Sequence, residues 1–364
     1  MNTQKIIISG GGTGGHIFPA IAIANELKRR NPTADILFVG ASGKMEMEKV
    51  PQAGYSIIGL PITGFQRRIA FSNFLLPFKL VYSLIKAYFI LKKFKPQAVI
   101  GVGGYASGPI LRIASMLNIP TVVQEQNSFP GKTNRILSKA VSKICVAYPN
   151  LDKFFPNEKI VLTGNPVRNE MVLIDGKKAK AIEHFKLDNS KKTILIIGGS
   201  LGARTLNESL INSIDKIAAS NIQVIWQCGK FYFPNYTNQK AELASKGIHL
   251  FEFIKEMDLA YAAADVIISR AGAMSVSELT IIEKPTILVP SPNVSDDHQT
   301  HNANSLADAV LVITDKEAKE KLIQASIELL TNDSAGKQMA LKLRNFAIPN
   351  AAELIVNEIE KCMV

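Results

Sequence analysis

Short apolar runs alternate with helix-length amphipathic stretches along the whole chain. In the first half, Lys5–Ser9, Ile36–Val39, Ala98–Val102, Thr121–Gln124, Lys143–Ala147 and Ile160–Thr163 read as strands. A second series follows at Thr193–Ile197, Gln223–Gln227, His249–Phe253, Val266–Ser269, Thr286–Val289 and Val310–Ile313. Such runs, separated by helical patterns, predict parallel α/β units. The chain is therefore expected to be an α/β protein with two Rossmann-like domains facing across a cleft, the natural ligand site of such a fold. The boundary is expected near Asn165-Pro166-Val167-Arg168, giving domains 1–168 and 169–344. The polar stretch Asp175–Ser190 reads as a surface helix and connection. A final helix over Ala351–Lys361 carries an apolar face of Leu354, Ile355 and Ile359. In two-domain folds of this kind such a tail, here 345–364, is expected to return to the first domain.

The glycines gather where strands should end. The strand Ile6-Ile7-Ile8 runs into Ser9-Gly10-Gly11-Gly12-Thr13-Gly14-Gly15-His16, and a helical pattern starts at Pro19. Without Cβ atoms, such a loop brings backbone N–H groups and a helix N-terminus close to an anion. A phosphate-bearing ligand is the first expectation. Gly10, Gly12 and Gly15 formally fit the dinucleotide pattern G-x-G-x-x-G. That pattern wants an acidic residue after the second strand to hold a ribose hydroxyl, and Ile36-Leu37-Phe38-Val39-Gly40 ends without one. A Walker loop needs Lys-Ser or Lys-Thr after its last glycine, where this chain has His16-Ile17. Hydride transfer and P-loop hydrolysis both lose ground. Two further loops, Gly103-Gly104-Tyr105-Ala106-Ser107-Gly108-Pro109 and Gly198-Gly199-Ser200-Leu201-Gly202-Ala203-Arg204, also follow strands. One such loop is ordinary turn chemistry. Three at strand carboxyl ends fit two diphosphates facing each other across a cleft.

Composition narrows the setting. With 364 residues and 47% of them hydrophobic, the chain can build two full cores. Cys145, Cys228 and Cys362 lie far apart with no C-x-x-C pair, which suits a reducing cytosol better than a disulfide framework or zinc ribbon. Met1 to Lys5 leads directly into a core strand without a secretory pattern. The net charge of +11 favours acidic partners: nucleic acid, anionic lipid or phosphorylated substrates.

Residues 65–95 bear on that choice. Phe65-Gln66-Arg67-Arg68 precedes a run rich in Phe, Leu, Ile and Tyr, broken by Lys79 and Lys86 and closed by Lys92-Lys93-Phe94-Lys95. A spanning helix needs about 20 mostly apolar residues. The longest uncharged stretch, Ile69–Phe78, is far shorter and contains Pro77, so the segment does not span. Two readings stay open. One is a core helix with solvated lysines. The other is an interfacial surface where Phe74, Leu75 and Phe78 enter lipid while Lys79 and its basic neighbours meet anionic headgroups. The flanking Arg67, Arg68, Lys92, Lys93 and Lys95 tip the balance towards the membrane.

Gly-Gly-Thr-Gly-Gly-His (11–16), Gly-Gly-Tyr-Ala-Ser-Gly-Pro (103–109), Glu-Gln-Asn (125–127), Thr-Gly-Asn-Pro-Val-Arg (163–168) and Gly-Gly-Ser-Leu-Gly-Ala-Arg (198–204) stand in the order of a known family. So do Arg-Ala-Gly-Ala-Met-Ser-Val-Ser-Glu-Leu (270–279) and His-Gln-Thr-His-Asn-Ala (298–303). Over essentially its whole length the chain resembles the MurG family, bacterial N-acetylglucosaminyltransferases that convert lipid I to lipid II in peptidoglycan synthesis. The resemblance implies GT-B architecture and an inverting, metal-independent reaction without a cofactor. It implies UDP-N-acetylglucosamine as donor. The acceptor would be the C4 hydroxyl of undecaprenyl-diphosphate-linked N-acetylmuramoyl-pentapeptide. The implied setting is peripheral, on the cytoplasmic face of the inner membrane against its anionic leaflet, with no nucleic acid. The first domain would serve acceptor and membrane, the second the UDP-sugar. The lack of an Asp-x-Asp triplet agrees with the absence of a diphosphate-bound metal, and His298 with His301 is a weak metal signal.

The same resemblance distributes roles. His16 is the general-base candidate, since an imidazole titrates near neutral pH and can take the acceptor's proton; a ring that only hydrogen-bonds sugar or phosphate is the alternative. Thr13, Gly14, Gly15 and Asn127 match positions that contact the donor from across the cleft. Gly104, Tyr105 and Ser107 are assigned to the acceptor diphosphate. Arg168 matches a donor-binding arginine, with an interdomain ion pair as its other reading. Ser200 should approach the donor diphosphate. Backbone N–H groups of Ala273, Met274, Ser275, Val276, Ser277 and Glu278, at a helix start, would receive the charge of the leaving UDP. Glu278 would also accept hydrogen bonds from ribose hydroxyls, and a helix-capping Ser-x-Ser-Glu run is compatible with that. The main chain of Ile254 would read the uracil edge, its side chain being core. Gln299 would contact sugar hydroxyls, where a solvated loop glutamine is the plainer reading. Met274 replaces a leucine-like family residue, which leaves a backbone role intact. The loop Ser291–His298 is a variant whose contacts outside Gln299 have no assignment.

Two other function classes share the donor site: a UDP-sugar epimerase or hydrolase of the same fold, and a non-catalytic membrane-bound nucleotide-sugar sensor. The loop at 103–109 and the basic-apolar stretch favour a lipid-diphosphate acceptor over water. A sensor would keep Glu278 but gain nothing from a base at His16.

Overall fold

The structure, a computed structural model, describes residues 4–62 and 76–363. The chain forms two compact units: one runs up to Val167 and takes back the segment from Ile348, and the other is Arg168–Ala347.

The first unit is built on β1 (Lys5–Ser9), β2 (Asp35–Ala41), β3 (Ser56–Leu60), β4 (Ala98–Gly101), β5 (Thr121–Glu125), β6 (Lys143–Val146) and β7 (Ile160–Leu162). They form one parallel sheet in the order β3-β2-β1-β4-β5-β6-β7. Successive residues of β1 feed opposite faces. Ile6 and Ile8 join Phe38 and Ile100 in one core cluster, while Ile7 joins Val39 and Val99 in the other. Both faces are covered, which is why the strand reads as an unbroken apolar run. The helix Ala351–Met363 lays Ile355, Val356 and Ile359 into the first cluster, with Leu354 half-buried beside them. Arg30 fastens it, its Nη1 donating to Asn357 Oδ1 at 2.7 Å and to Glu360 Oε2 at 2.8 Å.

The second unit repeats the plan with β8 (Lys192–Ile197), β9 (Ile222–Gln227), β10 (Ile248–Phe251), β11 (Val266–Ser269), β12 (Thr286–Leu288) and β13 (Leu311–Val312). The parallel order is β10-β9-β8-β11-β12-β13. Ile194, Ile196, Val224, Trp226 and Ile268 lie in its main core cluster.

Strand order reverses between β1 and β4 in one sheet and between β8 and β11 in the other. Crevices beyond the carboxyl ends at such switch points are where open α/β sheets hold ligands. The loops that follow β1, β4 and β8 are the three glycine loops, and the loop after β11 carries Arg270-Ala271-Gly272.

Two elements differ from the sequence reading. Strand β3 is unforeseen: it is a half-buried edge strand whose apolar run is broken by Gly59. Helix α1 (Gly14–Arg30) begins five residues before Pro19, which sits inside it. Proline marks the first turn of many helices, but here the preceding glycines are already helical.

Candidate active site

Because α1 starts at Gly14, the residues Gly14, Gly15 and His16 form its first turn. Thr13 holds the N-cap position in extended conformation without a side-chain cap. The N–H groups of His16 and Ile17 return to the Thr13 carbonyl at 3.1 and 3.2 Å. Those of Gly14 and Gly15 therefore head the helix, at the partial positive charge that favours an anion.

The half-buried His16 ring places Nδ1 3.0 Å from the Gly11 carbonyl oxygen and 3.4 Å from Thr13 Oγ1. Its other edge lies against Gly103. Gly104 has φ +82, and a Cβ there would stand 2.4 Å from the Gly11 oxygen. Only glycine lets the two loops touch backbone to backbone. Tyr105 is exposed beside them. Ser107, assigned to the acceptor diphosphate, is buried, and its hydroxyl donates to the Gly104 carbonyl at 2.8 Å. That bond braces the loop.

Asn127 follows β5, and both its N–H and its Nδ2 donate to Glu125 Oε1, at 3.0 and 3.3 Å. Glu125 Oε2 accepts from the Gly131 N–H and from Asn134 Nδ2 at 3.0 and 2.8 Å. Glu125 is thus the organiser of this loop, a role the sequence reading did not give it. The available signal was a carboxylate at the end of a strand, Thr121–Glu125.

In the second unit, exposed Ser200 lies in the loop after β8, where its carbonyl accepts from the Lys230 N–H at 3.0 Å. The helix Ala273–Ile282 starts after Gly272 with no side-chain cap. Ser275, Ser277 and Glu278 lie inside the helix, and Ser277 Oγ donates back to the Ala273 carbonyl at 3.1 Å. The capping arrangement is therefore not formed, whereas half-buried Ala273, Met274 and Ser275 stand at the helix start. Val276 points into the core.

Glu278 is half-buried, and Tyr261 Oη donates to its Oε2 at 2.9 Å. Burial pushes its carboxyl above the usual range, while the Tyr261 hydroxyl and the positive charge of Arg168 pull the other way. Arg168 itself is exposed at the start of this unit. Ile254 is buried, and its N–H donates to Gln227 Oε1 at 2.8 Å, while its neighbour Phe253 is exposed. Gln299 Oε1 accepts from the Ser291 N–H at 2.9 Å.

A cavity of about 870 Å³ is lined by Gly199, Arg204, Ser275, Ser291 and Gln299 among others. Arg270, also on its wall, was missed from sequence. Its Nη1 donates to the carbonyls of Val289 and Pro290 at 3.1 and 3.2 Å and meets Asp315 Oδ1 at 2.5 Å. One guanidinium thereby ties together the ends of β11, β12 and β13. Among the described residues no three His, Cys, Asp or Glu side chains gather as a metal site.

Helix α3 (Leu76–Phe94) carries an unusual face. Phe78, Val81, Tyr82, Ile85 and Phe89 are exposed, Phe78 by 74% and Phe89 by 64%. The opposite face buries Ser83, Ala87, Ile90 and Leu91. Lys79 is half-buried, and Lys86 donates to the Gly59 carbonyl at 2.8 Å. The reading of a core helix with solvated lysines fails on this face, where aromatics are outside and Lys86 is tied to the sheet edge. Phe74 and Leu75, with Arg67 and Arg68, lie outside the described residues. No helix among the described residues is long and apolar enough to cross a membrane.

Comparison with known proteins agrees with this layout. Family models described as the glycosyltransferase family 28 N-terminal and C-terminal domains match residues 6–146 and 193–355. The UDP-N-acetylglucosamine--N-acetylmuramyl-(pentapeptide) pyrophosphoryl-undecaprenol N-acetylglucosamine transferase of Flavobacterium psychrophilum is 54% identical over 99% of this chain and 98% of its own. The crystal structure of Acinetobacter baumannii MurG superposes with a TM-score of 0.77 at 31% identity, covering 98% of this chain and 99% of that one. A UDP-GlcNAc 2-epimerase from Neisseria meningitidis, bound to UDP-GlcNAc, reaches a TM-score of 0.68 at 16% identity, covering 98% and 100%, which speaks for fold alone. The chain belongs to glycosyltransferase family 28 and, within it, to the MurG family.

Proposed function

We propose that this protein transfers N-acetylglucosamine from UDP-N-acetylglucosamine to the C4 hydroxyl of undecaprenyl-diphosphate-linked N-acetylmuramoyl-pentapeptide, the step from lipid I to lipid II. The observation that carries this reading is full-length identity of 54% to a transferase of that name. Ligand-ready loops at both switch points supply the chemistry.

The donor belongs to the second unit. Glu278 accepts the ribose hydroxyls, the main chain of Ile254 reads uracil, and Phe253 offers a flat apolar face for the base. Since the Ile254 N–H is already engaged by Gln227, the uracil edge either displaces that side chain or uses the Ile254 carbonyl. Ser200 and the start of the helix Ala273–Ile282 take the diphosphate, Gln299 the sugar hydroxyls. Arg168, Thr13, Gly14, Gly15 and Asn127 complete the donor contacts. Gly104 and Tyr105 take the acceptor diphosphate.

Transfer then follows by direct displacement. The C4 oxygen attacks the anomeric carbon, its proton passes to His16, and the bond from that carbon to the UDP oxygen breaks with inversion. The helix N-terminus at Ala273 receives the charge that develops on UDP. Neither a metal nor a cofactor enters this scheme. The exposed aromatic face of α3, with Lys79, rests on the anionic cytoplasmic leaflet of the inner membrane, where the lipid acceptor resides.

One assay tests the reading. Purified protein with UDP-N-acetylglucosamine and a lipid I analogue should yield the lipid-linked disaccharide and UDP. Free sugar, or an epimerised UDP-sugar without disaccharide, would sink it. His16→Ala should lower kcat by about 10²–10⁴-fold, the usual worth of a general base, with the donor dissociation constant unchanged.

A further inference from the structure

Glu46 is a wholly buried carboxylate at the start of α2 (Glu46–Gln52), directly beneath the first glycine loop. Its partners are backbone groups. Oε2 accepts from the Gly12 N–H at 2.9 Å, and Oε1 accepts from the Ala41 N–H at 2.9 Å. The fit is tight: a Cβ on Gly11 would stand 2.1 Å from Glu46 Oε1. A buried negative charge beside a loop shaped for anions is a poor choice for ligand affinity. Its geometry suggests a different use.

The Gly12 N–H and the Gly11 carbonyl belong to one peptide group, which is planar, so its two polar ends point in opposite directions. Glu46 takes the N–H end. His16 Nδ1 takes the carbonyl end at 3.0 Å. A carbonyl oxygen only accepts, so Nδ1 must carry the proton, and in the neutral ring the lone pair then lies on Nε2. Nε2 is on the ring edge that lies against Gly103, in the loop after β4. Hydrogen bonds in series polarise one another. A carboxylate on the N–H makes the carbonyl a better acceptor for Nδ1–H.

We infer that Glu46 positions His16 through the Gly11–Gly12 peptide, fixing the imidazole tautomer that leaves Nε2 as the basic nitrogen. Carboxylate, peptide and imidazole form a relay in which no proton leaves Glu46 or the peptide. The role resembles that of the aspartate in a serine-protease triad, which orients its histidine without being protonated itself. Here a backbone amide stands between the two side chains. Glu46 is a positioning residue that touches no substrate.

The inference rests on His16 acting as the base, so the two residues are tested together. Nitrogen NMR of labelled histidine in the intact protein should show the His16 proton on Nδ1. A wild-type His16 protonated on Nε2 overturns the relay, whatever any variant does. Glu46→Gln removes the charge and one acceptor. It should lower kcat by about 10–100-fold, taking as a guide the loss when a metal-bound imidazole loses its outer partner. KM for UDP-N-acetylglucosamine should stay unchanged, and the Nδ1–H tautomer should lose population. Lost turnover with an unchanged tautomer would mark Glu46 as merely structural and overturn the inference. His16→Ala separates the two failures. Full turnover in that variant removes the base assignment and the relay with it. Lost turnover there, with wild-type kcat and tautomer in Glu46→Gln, removes the relay alone.

Discussion

At the scale of single residues, groups proposed to touch a ligand differ from groups that hold others in place. Glu278 is proposed to be of the first kind, and its environment costs stability. Burial raises its carboxyl above the ordinary value of 4.5. A raised carboxyl is most compatible with folding when protonated, so stability falls as pH rises from that value through the folded one. Glu278→Gln keeps an acceptor for the Tyr261 hydroxyl and removes the charge. It should raise the apo melting temperature by about 2–4 °C, the shift that ~1 kcal/mol gives a domain of this size. UDP affinity should drop at least tenfold, because charge-assisted bonds to hydroxyls are worth roughly 1.5–3 kcal/mol each. UDP affinity of the wild type should also weaken as pH falls and the carboxyl takes its proton. Calorimetry on both proteins checks the pair of effects; a variant that is less stable and binds UDP normally would refute the assignment. His16 and Glu278 could be nominated from the sequence because unusual chemistry stands in recognisable motifs. Glu46, Glu125, Tyr261 and Arg270 were not. The partners Gly12 for Glu46 and Asp315 for Arg270 lie 34 and 45 residues away in the chain, and only the fold brings them together, whereas Glu125 has local partners whose loop geometry the sequence does not show.

At the scale of elements, periodicity announces a helix but leaves its orientation open. In α3 the apolar positions 78, 81, 82, 85 and 89 recur at helical spacing, and so do the small or apolar positions 83, 87, 90 and 91. Either stripe was fit to be the core side. The fold chose the stripe with the smaller Ser83 and Ala87 and left the aromatic one outside. An exposed stripe of this kind on an amphipathic helix is the pattern of an interfacial surface. Changing Phe78, Tyr82 and Phe89 together to serine should abolish sedimentation with anionic vesicles while donor affinity stays intact. Surface changes are worth within about 0.5 kcal/mol each, so the melting temperature should barely move. A large loss of stability, or undiminished vesicle binding, would refute the interfacial role. Strand β3 shows the opposite limit. An edge strand is covered on fewer sides, so Ser56 and Gly59 are tolerated within it and its apolar signal fades. Helix α1 was mistimed because glycines 14 and 15 are weak helix formers by propensity, while their place after β1 sets their conformation.

At the scale of the whole molecule, the alternation of apolar runs and amphipathic stretches was enough to anticipate two parallel sheets, because strands buried on both faces must be apolar throughout. What the alternation leaves open is which sheet the last helix serves. The helix Ala351–Met363 has an apolar stripe that fits any α/β surface. The structure places it on the first unit, where Ile355, Val356 and Ile359 are fully buried against Ile6, Ile8 and Ile17. Arg30 adds hydrogen bonds to Asn357 and Glu360. The first unit is thus built from both ends of the chain, whereas the second is one continuous segment. The two should respond differently to truncation. Each buried aliphatic side chain contributes about 1.5–3 kcal/mol, so losing these three costs roughly 5–9 kcal/mol, as much as the net stability of many domains. A chain ending at Ala347 should therefore lose the melting transition of the first unit and all transferase activity. The second unit should still melt cooperatively. UDP at a hundredfold excess over its dissociation constant should stabilise it by about 2.7 kcal/mol, and should do the same in the full chain. Differential scanning calorimetry of both proteins with and without UDP distinguishes the outcomes. If the truncated chain kept both transitions, the terminal helix would be a dispensable appendage; if it lost UDP-dependent stabilisation, the donor site would need more than Arg168–Ala347.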